Sequence, residues 1–95
     1  MNISTTGNRI MIEGNIKSVS DYQSIKSTID SVTTQNKTIV IDVKDSISIT
    51  SSVIGYFNKV ILKDNIDIQM KIGNPQLLEL LQDLNLASVF KATKA

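Results

Sequence analysis

The run Thr38-Ile39-Val40-Ile41-Asp42-Val43 leaves the chain few folds to choose from. It is nearly unbroken and β-branched, the pattern of a strand buried on both faces in the middle of an α/β sheet. On either side of it the apolar residues recur at helical spacing. Before it, Tyr22, Ile25, Ile29 and Val32 fall at steps of three and four and share one helix face. After it, Val53, Ile54, Phe57, Val60 and Ile61 form a second apolar face. A central strand between two amphipathic helices implies parallel pairing with right-handed crossovers.

The rest of the chain extends that frame. Asn2 to Thr5 reads as a weak strand and Arg9 to Glu13 as an alternating one, joined by a tight turn at Gly7-Asn8. Ser20-Asp21-Tyr22-Gln23 matches a capping box at the start of the first helix. Ile66, Ile68, Met70 and Ile72 alternate with polar residues, as in a strand with one wet face or near an edge. Asn74-Pro75 then supplies an N-cap and a first helical residue, and Leu77, Leu78, Leu81 and Leu84 give the third helix its stripe. Residues 91–95 read as a frayed tail, with room for one last short strand just before them. The expected order is β-β-α-β-α-β-α: a single α/β domain, residues 1–95, with a mixed four- to five-stranded sheet and about three helices packed on it.

Composition narrows the chemistry. With 95 residues and 41% hydrophobic content, the chain can bury one small core. Ten basic and nine acidic residues nearly balance, and the lysines are scattered, so no nucleic-acid stripe is present. There is no cysteine and no histidine, which removes thiol nucleophiles, a Ser-His-Asp triad and most zinc sites. Neither phosphate-loop signature occurs, so no cofactor is expected. Asp45 reads as a turn residue and Asp67 as a wet strand residue. Asp42 stands out as a carboxylate in a buried-looking strand, placed to accept loop hydrogen bonds. No apolar run approaches the ~18 residues of a membrane span, and the first residues have no apolar signal core. The expectation is a cytoplasmic, non-catalytic protein without membrane insertion.

The remaining feature is "SISITSSVIGYF", Ser46 to Phe57. A strand-like Ser48-Ile49-Thr50 hands over to a helix beginning at Ser51 or Ser52. Thr50, Ser51 and Ser52 place three hydroxyls where one would cap the helix. Phosphate on one of them would add about −1.5 to −2 charges at a helix end that tolerates negative charge.

Taken together, "TIVIDV", "ISITSSVIGYF", "IDIQMKIG", the turn "NPQ" and "LLELLQDLNLASVF" resemble, in order and spacing, the STAS domain of anti-sigma factor antagonists and of sulfate transporters' cytoplasmic domains. The resemblance runs from about Arg9 to Phe90. It implies a bacterial regulatory module that binds an ATP-dependent partner, at once anti-sigma factor and serine kinase, and is phosphorylated on the first Ser of an Asp-Ser-Ser-Gly run. By position the phosphoacceptor is Ser51, ahead of Ser52 and Thr50, and the docking surface comprises Thr50, Ser51, Ser52, Val53 and Tyr56. Thr50 stands in place of the family Asp and Val53 in place of the Gly. The turn Gly14-Asn15-Ile16-Lys17 lacks the acidic residue common there. The resemblance is also compatible with a module that docks without being phosphorylated, with a transport-complex subunit binding an ABC-type ATPase, and with a binder of nucleotides or lipids. A homodimer through an exposed strand or helix face is a further expectation, which the alternation of Ile66–Ile72 neither favours nor opposes.

Overall fold

A computed structural model describes all residues from Met1 to Ala95. The elements are β1 (Asn2–Thr6), β2 (Arg9–Glu13), α1 (Val19–Val32), β3 (Thr38–Val43), α2 (Ser51–Leu62), β4 (Asp67–Ile72), α3 (Pro75–Asp83) and β5 (Ala92–Lys94). They form one five-stranded mixed sheet in the order β1-β2-β3-β4-β5. Only β1 and β2 are antiparallel; β2, β3, β4 and β5 are parallel neighbours. Gly7, at φ +60, takes the first turn position of the β1–β2 hairpin, where a left-handed backbone matches the twist of the strands.

Each crossover steps one strand in the same direction, so helices of a common hand fall on one face. The buried residues follow. Ile10 and Ile12 of β2, Ile39, Ile41 and Val43 of β3, and Ile68, Met70 and Ile72 of β4 join Ile25, Ile29, Val53, Phe57, Val60, Leu77 and Leu81 in one core. The opposite sheet face carries no helix. There Arg9, Thr38 and Gln69 are exposed and Met11 and Val40 half-buried. β3 is therefore central but covered on one face only, and the β-branched run overstates its burial. Asp42, on the bare face, bonds no loop; its carboxylate pairs with the Arg9 guanidinium at 2.9 Å. Asp67 pairs in the same way with Lys91 at 2.7 Å.

Three further expectations need correction. The capping box of α1 starts two residues earlier: the Ser18 side chain accepts from the Asp21 N–H, and the Asp21 carboxylate accepts from the N–H groups of Ser18 and Lys17. Those bonds, the Lys17 N–H foremost, hold the Asp21 carboxyl below its ordinary pKa. Residues 48–50 are not a strand but the end of an extended loop. The tail is not frayed. Phe90 is fully buried, edge-on to Phe57 at 5.6 Å, and Lys91 turns the chain at φ +50. Residues 92–94 then add a fifth strand, and the Ala95 N–H reaches the Ile72 carbonyl at 2.9 Å.

Candidate functional site

In open α/β sheets, binding sites form outside the carboxyl ends of the parallel strands. Here the loops after β2 and β3, residues 14–18 and 44–50, lie side by side at that end. Short polar side chains clamp them together. The Ser46 hydroxyl is fully buried; it accepts from the Ile16 N–H at 3.1 Å and donates to the Ser48 carbonyl at 2.7 Å. The Ser48 hydroxyl donates back to the Ile16 carbonyl at 2.9 Å. The Asn15 side-chain carbonyl accepts from the Ile47 N–H at 3.0 Å, and the Asp45 carboxylate from the Gly14 N–H at 2.7 Å. Loops that lack a backbone ladder are satisfied through side chains instead. A third loop closes on them: a side-chain carbon at Gly73 would overlap the Lys44 carbonyl, and the Gly73 N–H donates to the Val43 carbonyl at 2.8 Å.

This clamp delivers the chain to α2 in a fixed pose. Thr50 is the N-cap, with extended backbone, and its hydroxyl accepts from the Val53 N–H at 3.3 Å. Ser51 and Ser52 are the first two helical residues; both are exposed and neither side chain makes a hydrogen bond within the chain. One hydroxyl of the three is thus structural, and it is the first. Ser52 lines a cleft of about 120 Å³ with Thr50 and with Lys17, Ser18, Val19 and Tyr22 from the start of α1. Ser51 lies outside this cleft. Val19 and Ile47 are exposed large apolar residues on these two segments, at 72% and 50%.

Two expected contact residues are not on this surface. Val53 is fully buried, and Tyr56 is 5% exposed. A residue at the third helical position of α2 points into the sheet, so the β-branched Val53 side chain fills core. Tyr56 joins the helices: its hydroxyl donates to the Asp30 carboxylate at 2.6 Å and to the Lys26 carbonyl at 3.3 Å. Lys26 donates to the same carboxylate at 2.8 Å. Burial, together with the anionic Asp30, pushes the Tyr56 hydroxyl well above its ordinary pKa. Burial also pulls the Asp30 carboxyl upward, but the bonds from Lys26 and Tyr56 outweigh it and hold that pKa down.

Sequence reasoning singled out Ser51 and Ser52 and missed the clamp beneath them. Ser46, Ser48 and Asn15 form a short-polar, turn-rich pattern in which each side chain can bond backbone; the alternation of Ser48-Ile49-Thr50 disguised it as a strand. No three carboxylates gather as a metal cluster would require, and no helix is long and apolar enough to cross a membrane. Comparison of the chain with family models, with curated proteins and with solved structures returns no match.

Proposed function

We propose that the protein is a regulatory docking module of the STAS type, which binds an ATP-dependent serine kinase of the anti-sigma factor kind and is switched by phosphorylation of Ser51. The observation that carries this reading is the division of labour at the start of α2. Thr50 caps the helix, so Ser51 has no structural task and its hydroxyl is free at the surface. Asp and Thr are both good N-caps, so Thr50 keeps the capping role that the family Asp can fill.

The surroundings suit a docking surface. Val19 and Ile47 offer apolar contact, and the clamped loops hold the surface without a large ordering cost on binding. Gly55 lies on the same outer side of α2, exposed, with nothing near its missing side chain. A helical glycine costs about 1 kcal/mol relative to alanine and here gains no internal contact; it leaves room for a partner to approach the helix. In the reaction the Ser51 hydroxyl attacks the γ-phosphorus of ATP held by the partner. The bond to the ADP oxygen breaks, and the hydroxyl proton passes to a base of the partner. The product carries about two negative charges at the helix N-terminus, which the helix dipole accommodates, so the switch acts on the surface and leaves the fold intact.

Paired variants test this reading. Ser51→Ala should keep partner binding and Ser51→Asp should weaken it about tenfold or more, since an unpaired charge in an interface costs several kcal/mol. Equal affinities, measured by titration calorimetry against a serine kinase of this type, would overturn the switch.

A further inference from the structure

The two edges of the sheet are treated differently. β5 is three residues long, ends in Lys94 and follows Lys91, the short charged edge that discourages strand addition. β1 has five residues, Asn-Ile-Ser-Thr-Thr, with no charge, no proline and no bulge in its register with β2. Its free side can be identified residue by residue. The Val40 N–H bonds the Asn8 carbonyl and the Lys44 N–H bonds the Ile12 carbonyl. The even-numbered residues of β2 therefore serve β3, and Arg9, Met11 and Glu13 serve β1. Their partners Thr6, Ser4 and Asn2 are used up, which leaves the N–H and C=O of Ile3 and Thr5 directed outward.

Alongside this edge runs a cleft of about 380 Å³, lined by Ile3 of β1 and by Ser20, Gln23, Ser24, Ser27 and Thr28 of α1. Every α1 residue in it is uncharged and most are small, although charged residues flank them on the same helix. Lys17 lines the other cleft, and Lys26 is taken up by Asp30.

We propose that β1 is a self-association edge, at which a second copy of this chain adds its own β1 in antiparallel pairing. The strand is complementary to itself. With the two-fold axis at Ser4, Ser4 faces Ser4 of the second copy, Ile3 faces Thr5 and Asn2 faces Thr6. Ile3 and Thr5 then exchange their outward N–H and C=O groups across both halves, which satisfies every free backbone group at the centre of the edge. No like charges meet, and hydroxyl and aliphatic–β-branched pairs of this kind are favourable across strands. The axis is perpendicular to the sheet, so both helix layers stay on one face. The cleft then receives Thr5 of the second copy beside Ile3, and the small residues of α1 allow the two α1 helices to close over the new strand pair. A foreign strand could use the same backbone groups, and its uptake by a monomeric chain is the rival outcome.

The chain has no cysteine, so one introduced at the axis gives a clean readout. Ser4 is exposed on the bare sheet face, and replacing it leaves the monomer core untouched. The expected result is a solution mass that rises toward twice the monomer mass with concentration in sedimentation runs. Ser4→Cys should cross-link under mild oxidation at least about tenfold faster than Ser88→Cys, because pairing raises the effective thiol concentration. Ser4→Lys, which sets two like charges face to face, should return the monomer, with the thermal stability that wild type shows at concentrations too low to pair. A monomeric mass at all concentrations with equal cross-linking rates would overturn the proposal. So would a dimer indifferent to Ser4→Lys, or a chain that stays monomeric while taking up a foreign strand at β1.

Discussion

At the residue scale, Thr50 and Ser51 are neighbours with separate tasks. Thr50 holds the first turn of α2, and its removal should be felt as lost stability: Thr50→Ala is expected to cost about 1 kcal/mol in chemical denaturation. Ser51→Ala should change stability by less than about 0.5 kcal/mol, as surface substitutions away from caps do. A larger loss from Ser51→Ala than from Thr50→Ala would assign the cap to Ser51 instead. Gly73 makes a sharper case. Any side chain there meets the Lys44 carbonyl, so Gly73→Ala should cost about 2 kcal/mol and loosen the loop ahead of Thr50. The sequence showed Gly73 only as punctuation after an alternating strand. Close approach between loops distant in sequence leaves no trace in a local pattern. The Ser51–Ser52 pair was legible because caps have a local signature, whereas the assignment of the cap to Thr50 required the backbone geometry of the junction.

At the scale of elements, the apolar patterns placed all three helices and β2, β3 and β4, because each of those patterns is long enough to show, while β1, with one apolar residue, was read from the turn after it. The exceptions were short. Residues 92–94 are too few to alternate, and they join the sheet because the buried Phe90 and the turn at Lys91 bring them there. Residues 48–50 alternate by chance while their polar groups bond another loop. Tyr56 links α1 to α2; the resemblance placed it on the docking surface, and it is in fact a buried link to Asp30. Tyr56→Phe should cost about 1 kcal/mol through that lost hydrogen bond. The pH dependence follows from the raised Tyr56 pKa. The folded state keeps the phenolic proton that the unfolded chain releases near pH 10. This contribution is therefore complete below about pH 10 and is lost as pH rises, with a slope up to about 1.4 kcal/mol per pH unit. In denaturation between pH 9 and 11, wild type should lose stability more steeply than Tyr56→Phe; parallel curves would remove Tyr56 from the titration.

At the scale of the whole molecule, one helical layer on a five-stranded sheet separates three surfaces. The carboxyl end of the parallel strands carries the clamped loops and Ser51. The β1 edge offers open backbone groups, and the bare sheet face is occupied by ion pairs such as Arg9–Asp42. Phosphorylation and self-association would use different surfaces, so each can be disabled without the other. The proposed switch rests on the free hydroxyl at the start of α2. Incubating the protein with ATP and a serine kinase of the anti-sigma type, then mapping the modified residue by tandem mass spectrometry, puts that hydroxyl to the test. One phosphate is expected on wild type, on Ser51, and none on Ser51→Ala. Phosphate on Thr50, or an unmodified chain that also forms no complex with the kinase in gel filtration, would contradict the switch.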